Sequence, residues 1–464
     1  MLTIYDESTK IGRRDFLQVG SLALGGMTLP GLLATDALAQ GDKSLLKGKS
    51  VIFVFQHGGP SQTETFDPKM TAPEGIRSVT GEIKTRIPGV TFGTTMQNLA
   101  QLNDKFTIVR SFKAGSSAHD IKPIKCRETL NANMGSLYSR IAGSNHPLTG
   151  MPTSAVLYPR AVNPKSQKGV TQFGNFASPG QLGAASAPFV PSGDGTLKKN
   201  MKLSLSRQRL DDRRSLLLQL DRIKRQIDND GLLNGADRYQ EQAFETILGG
   251  VANAFDLTQE SAATIAKYDT APLVPDSSVY QKWNNRKNYR DHSQTLGKLL
   301  LLARRLCEGG CGFVTVTTGF VWDMHSDVNN APPIEGMQYV GRPFDHAVAA
   351  LIRDIEARGL SDKIMVVCTG EMGRTPRVNK KAGRDHWGRI TPLMIAGGGL
   401  EMGQVIGRSN KDAGEPASEP MTNRHLLATI MNNMIDMGEL RVTRGVPRDL
   451  EQALTSAKPI PGLL

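Results

Sequence analysis

Ser50-Val51-Ile52-Phe53-Val54-Phe55, followed by Gln56-His57 and halted by Gly58-Gly59-Pro60, is the stretch on which the fold turns. It is apolar without alternation. A strand reads that way when it is buried on both faces, as in the middle of a parallel sheet. Similar short runs recur at Phe106-Thr107-Ile108-Val109, Ser154-Ala155-Val156-Leu157, Phe313-Val314-Thr315-Val316, Ile364-Met365-Val366-Val367 and Pro392-Leu393-Met394-Ile395-Ala396. Helical patterns lie between several of them. Leu299 to Leu306 precedes one run, and Phe344 to Arg358, with Ala347, Leu351, Ile352 and Ile355 on one face, precedes another. Alternating helices and doubly buried strands predict an α/β domain with a mainly parallel central sheet. Polar, glycine-containing loops that follow such strands line one edge, where α/β proteins bind ligands.

Upstream of the first strand, Gly12-Arg13-Arg14-Asp15-Phe16-Leu17-Gln18 leads into a short apolar stretch, Val19 to Leu33, lightened by four glycines and Pro30. Ala37-Leu38-Ala39 then offers a small-residue cleavage site. This is the layout of a twin-arginine signal peptide over 1–39, with Gln40 as the first mature residue. The stretch is short and glycine-rich for a membrane span. The expectation is export by the twin-arginine translocase, a periplasmic or extracellular location, and no membrane span in the mature chain. Residues 40–464 then form the folded part, with a charged helical insertion at about 200–300. The insertion would carry helices from Leu203 to Gln226 and from Ala236 to Phe255.

The chain of 464 residues has a formal net charge of +12. The first 39 residues hold three bases and four acids, so the remainder carries +13. Such a balance favours anionic partners, an anionic small molecule or an acidic polysaccharide. Nucleic acid is not expected, because the bases are dispersed and aromatic residues are not interleaved with them. The four cysteines include no Cys-x-x-Cys pair; Cys307 and Cys311, four apart on a helical stretch, read as packed thiols with a disulfide open.

Chemistry concentrates in four clusters, each after an expected strand: Gln56 to Lys69, Trp322-Asp323-Met324-His325, Gly370-Glu371-Met372-Gly373-Arg374-Thr375-Pro376, and Gly383-Arg384-Asp385-His386-Trp387-Gly388. Carboxylates and imidazoles are ligands for a divalent metal such as zinc, manganese or calcium. If extended, Asp323 and His325 share a face and can reach one site. Asp385 and His386 can reach two adjacent ions, or His386 can bind while Asp385 holds another group. Structural hydrogen bonding in loops is the competing reading. Ser61 is either an exposed nucleophile, which without a serine-triad partner would need a metal to activate it, or a turn serine capping the next segment. Arg374 and Arg384 either clamp an anion or pair with loop carboxylates. His119, in Ser116-Ser117-Ala118-His119-Asp120, is a further candidate.

Taken together, these motifs resemble the exported bacterial domain-of-unknown-function family fifteen-oh-one, within the alkaline phosphatase and sulfatase superfamily. The resemblance rests on His57-Gly58-Gly59-Pro60-Ser61, Val109-Arg110-Ser111 with His119, Arg209 to Arg214, Trp322-Asp323-x-His325, Gly370-Glu371-x-Gly373-Arg374-Thr375-Pro376 and Gly383-Arg384-Asp385-His386-Trp387. It implies an alkaline-phosphatase-like three-layer fold and a metal-dependent hydrolase of phosphate or sulfate esters. The metal would be gathered by His57, Asp323, His325, Glu371, Asp385 and His386, with Ser61 as nucleophile or orienting a water and Arg374 on the anion. Gln56-His57 stands where the superfamily usually has an aspartate, and Glu371-Met372 replaces an Asp-His pair. The Cys-x-Pro-Ser-Arg signature of formylglycine sulfatases is absent. A non-catalytic binding protein for acidic glycans or a cell-envelope partner is the alternative.

Overall fold

The structure is a computed structural model and describes residues 44–191 and 251–464. The expected signal peptide and the expected helix from Leu203 to Gln226 lie outside the described residues, as does all but the end of the second insertion helix.

The apolar runs are strands. β1 (Ser50–Phe55), β2 (Phe106–Val109), β3 (Ser154–Leu157), β4 (Phe313–Val316), β5 (Ile364–Thr369), β6 (Leu393–Gly397) and β7 (Val405–Ile406) form one sheet in the order β7-β2-β6-β5-β1-β4-β3. β1 lies between β4 and β5, parallel to both, with Val54 opposite Val316 and Cys368. Only β6 is reversed, antiparallel to β5 and to β2. The sheet is therefore mainly parallel, as the doubly buried runs predict.

Side-chain alternation along β1 divides the core. Ile52 and Val54 join one apolar cluster, and Val51, Phe53 and Phe55 join the other. The first cluster is covered by two long helices, α2 (Arg286–Glu308), through Leu299, Leu300 and Leu302, and α3 (Gly341–Ala357), through Ala347 and Leu351. The second is covered by α1 (Met134–Ala142) and α4 (Asn423–Met434), through Leu137, Ile141, Leu426 and Ile430. The result is three layers, helix on sheet on helix.

The C-terminal part of the expected insertion is joined to this body. α2 begins at Arg286 and packs on the sheet. Its buried Arg304 meets Glu260 at 2.9 Å and Asp354 at 3.0 Å, tying the segment near residue 260 to α2 and α3. All four cysteines are buried and free. Among the described residues no helix is long and apolar enough to cross a membrane.

Strand direction gathers the loops. β1, β2, β4 and β5 run the same way, so the segments after them emerge at one edge. Because β6 runs backwards, the segment before it, 384–392, arrives at that edge too. There Gly373–Arg374 pairs antiparallel with His386–Trp387, His386 opposite Arg374.

Candidate metal centre

Four side chains from three segments meet at this edge: His119 after β2, Asp323 and His325 after β4, and His386 before β6. One donor atom from each lies within 4.8 Å of every other. Asp323 Oδ1 is 3.7 Å from His119 Nε2, 3.0 Å from His325 Nε2 and 3.5 Å from His386 Nε2. His325 Nε2 and His386 Nε2 are 2.8 Å apart. A tetrahedral ion with bonds of about 2.0–2.1 Å holds its ligand atoms about 3.3 Å apart, the middle of this range.

The other ring nitrogen of each histidine is already committed. His119 Nδ1–H donates to Glu371 Oε1 (3.0 Å), His325 Nδ1–H to Asp385 Oδ1 (2.9 Å) and His386 Nδ1–H to the Ser117 carbonyl (3.0 Å). A neutral imidazole has one N–H, so these bonds leave the Nε2 lone pairs facing inward. This is how metal-binding histidines are oriented. Two basic nitrogens at 2.8 Å need a cation between them, a proton or a metal ion.

Electrostatics support a cation. Burial works against the charged form of Asp323, but the Arg374 guanidinium and, in the ion-free centre, protons on the inward nitrogens of His325 and His386 outweigh it and hold the carboxyl well below the usual range. The hydrogen bond to Asp323 raises the His325 pKa. Burial lowers that of His119 to about 4, keeping it a neutral ligand. Asp385 is raised by burial but lowered overall by its bonds to His325 and Asn379. Burial pushes Glu371 up to about 7.

Glycine makes the close approach possible. Gly58 has φ 111°, and a Cβ there would lie 2.6 Å from the Asp323 backbone nitrogen. The turn after β1 can therefore lie against the Asp323 segment, and the Val321 and Trp322 N–H groups both donate to the His57 carbonyl.

Of the residues singled out by sequence, Asp323, His325 and His386 converge with His119, while the others take different places. Asp385 and Glu371 touch histidines of the cluster rather than its centre; Glu371 Oε1 also accepts the Gly58 N–H (2.9 Å). His57 is buried among the rings of Phe55, Phe173, Phe176 and Phe320, and neither ring nitrogen has a hydrogen-bond partner. Burial lowers its pKa to about 4. It is not among the converging donors, because β1 aims it into the aromatic layer.

Ser61 is buried, with Oγ 3.0 Å from Thr63 Oγ1 and accepting the Glu64 N–H at 3.4 Å, so it is engaged as a turn serine. Arg374, expected on the anion, is engaged within the protein. Its fully buried guanidinium donates to the Gly58, Gly59 and Arg384 carbonyls, to Asp323 Oδ1 (2.5 Å) and weakly to His325 Nε2 (3.4 Å), which uses all five N–H groups. Arg384 is also enclosed, paired with buried Glu64 (2.9 Å) and bonded to four carbonyls. Sequence reasoning missed Asn330, which donates to Asp323 Oδ2 (3.0 Å), and Asn379, which donates to Asp385 Oδ1 (3.0 Å). No motif marks either.

The fold and this cluster define a three-layer α/β protein with a histidine-and-aspartate centre at the sheet edge. The chain belongs to the family described as "Protein of unknown function (DUF1501)", which it matches over residues 48–463. No functionally curated protein matches it. Similar solved structures include the PsFucS1 sulfatase from Pseudoalteromonas sp., with 11% identity over 91% of this chain and 72% of that one and a TM-score of 0.36. The Ps i-CgsB structure, a complex with k-i-k-neocarrahexaose, shares 10% identity over 83% and 71%, with a TM-score of 0.31. The phosphonate monoester hydrolase of Agrobacterium radiobacter shares 11% over 83% and 74%, with a TM-score of 0.28. Likeness at this level carries no assignment of substrate.

Proposed function

We propose that the protein is an exported, metal-dependent hydrolase of phosphate or sulfate esters, with one divalent ion held by His119, Asp323, His325 and His386. The observation that carries the reading is the inward convergence of three Nε2 lone pairs on an ionised carboxylate, each ring fixed through its Nδ1–H. A divalent ion held there supplies Lewis-acid polarisation of an ester oxygen.

The chain's own residues set the rest. Asp385, Glu371 and the Ser117 carbonyl fix the imidazole tautomers. Asn330 and Arg374 fix Asp323 in its ionised form. Exposure rises from Asp323 through His119 and His325 to His386, so an ester approaches from the histidine side. The net positive charge of the chain draws an anionic ester toward that opening. Ser61 is not assigned the attack, since its hydroxyl is engaged with Thr63 and Glu64; water is the proposed nucleophile. The twin-arginine layout expected over residues 1–39 supports placing this work outside the cytoplasm.

The test is hydrolysis of p-nitrophenyl phosphate, bis-p-nitrophenyl phosphate and p-nitrophenyl sulfate by metal-reconstituted protein. Turnover of at least one, abolished by His119→Ala in a folded variant, supports the reading. The absence of turnover in metal-loaded protein favours the second reading, a metal-stabilised binding module for an acidic glycan. Four protein donors around one ion are what favour that alternative.

A further inference from the structure

The side of the cluster nearest His119 is not polar. Phe173, from the segment after β3, and Phe320, from the segment after β4, lie ring to ring at 4.8 Å with a 32° tilt. His119 packs on both, at 5.1 Å from Phe173 and 4.5 Å from Phe320. Each phenyl also meets the edge of His57, at 5.7 and 5.1 Å. Both phenylalanines remain half-buried although Phe55 and Phe176 beneath them are enclosed.

From this wall the rings continue in a row. His119 is 4.1 Å from His386, and His386 is 4.5 Å from His325. Beyond His325 the composition changes sign: the loop that carries Asp385 and His386 exposes Arg377, Lys380, Lys381 and Arg389. The donor centre therefore lies between a half-exposed aromatic wall and a basic loop. An ester whose anionic group sits at the centre has two directions for its alcohol. The wall accepts a ring face, gaining aromatic and C–H contacts, whereas the loop presents mainly exposed charge, with Arg389 already paired to Glu415.

We infer that Phe173 and Phe320 form the subsite for the alcohol portion of the substrate, and that this portion carries a ring, a sugar or an aryl group, rather than a short alkyl chain. The inference rests on the ester-hydrolase reading. It adds two residues that contact substrate and a preference that the donor cluster cannot supply. Because the wall packs against His119 as well, substrate binding and ligand orientation share these two side chains.

The experiment measures binding of inorganic phosphate, inorganic sulfate, methyl phosphate, phenyl phosphate and glucose 6-phosphate to the zinc-loaded full-length mature protein by calorimetry. It compares wild type with Phe173→Ala and with Phe173→Leu, which keeps the packing on His119. Phenyl phosphate is expected to bind about tenfold tighter than methyl phosphate. Phe173→Ala should bring that ratio close to one, and Phe173→Leu should lower it only in part. Glucose 6-phosphate following phenyl phosphate identifies a sugar ring as the occupant, and only phenyl phosphate doing so identifies an aryl group. Equal affinities for methyl and phenyl phosphate in wild type overturn the ring subsite while leaving the ester reading in place. Failure of both inorganic phosphate and inorganic sulfate to bind the zinc-loaded protein overturns the ester reading, and the subsite falls with it.

Discussion

Replacing Asp385 by alanine should weaken metal binding without unfolding the protein. Asp385 is half-exposed, at 54% of its side-chain area, and Oδ1 accepts the His325 Nδ1–H at 2.9 Å. The loop holds without that carboxylate: the Thr375 N–H donates to the Asp385 carbonyl, and the Asp385 N–H donates to Thr375 Oγ1. Asn379 Nδ2 also keeps its bond to the His325 carbonyl. Stability of the metal-free protein should therefore change by no more than about 0.5 kcal/mol, the usual effect of a surface substitution. Metal affinity should fall about 10- to 100-fold, or about 1.4–2.7 kcal/mol, because His325 loses the partner that fixes its tautomer and ring orientation. Asp385→Asn keeps an acceptor oxygen and should fall between wild type and alanine. The assay is zinc titration in competition with a chromophoric chelator, alongside urea unfolding of the metal-free proteins. Wild-type affinity in Asp385→Ala would refute the orienting role. A loss of several kcal/mol in the metal-free protein would instead make Asp385 a fold residue.

Three further outcomes are expected. Glu64→Gln leaves Arg384 buried against a neutral partner and should cost about 3–5 kcal/mol in urea unfolding, since neither residue of the pair is exposed. His292 is buried, bonded to Thr318 Oγ1 and the Val340 carbonyl, and burial lowers its pKa to about 4. The unfolded chain takes up this proton near pH 6.5 and the folded chain only near 4, so stability is full above 6.5 and falls as pH drops between those values. The loss is up to about 3 kcal/mol, and His292→Gln should lose correspondingly less between pH 7 and 4.5. Gly383→Ala would place a Cβ 1.9 Å from the His325 carbonyl oxygen. It should displace the loop bearing Asp385 and His386 and weaken zinc binding at least tenfold by the same competition assay.

Doubly buried strands announce themselves by continuous apolar runs, and β1, β2, β3, β4 and β5 were legible for that reason. The reversal of β6 was not: Leu393–Gly397 is buried on both faces like its neighbours, and such a run is silent about direction. Yet it is this reversal that brings His386 to the edge. Asp323-x-His325 was legible as a pair because a separation of two puts extended side chains on one face. By the same rule adjacent Asp385 and His386 point apart, and spacing alone could not say that His386 faces the centre while Asp385 orients His325. Glu371 and His57 follow strands as ligands do, but their targets depend on the turn at Gly58 and on the aromatic layer. Phe173 and Phe320 come from irregular loops with no periodicity to mark them.

The most direct test is the metal content of the mature protein, purified folded without chelator and measured by elemental analysis, beside His119→Ala, Asp323→Ala, His325→Ala and His386→Ala. The account predicts close to one equivalent of a divalent ion in wild type, lost in each variant while circular dichroism shows the fold retained. A folded wild type that neither carries nor takes up zinc, manganese or calcium would contradict it, and so would variants that keep the full equivalent.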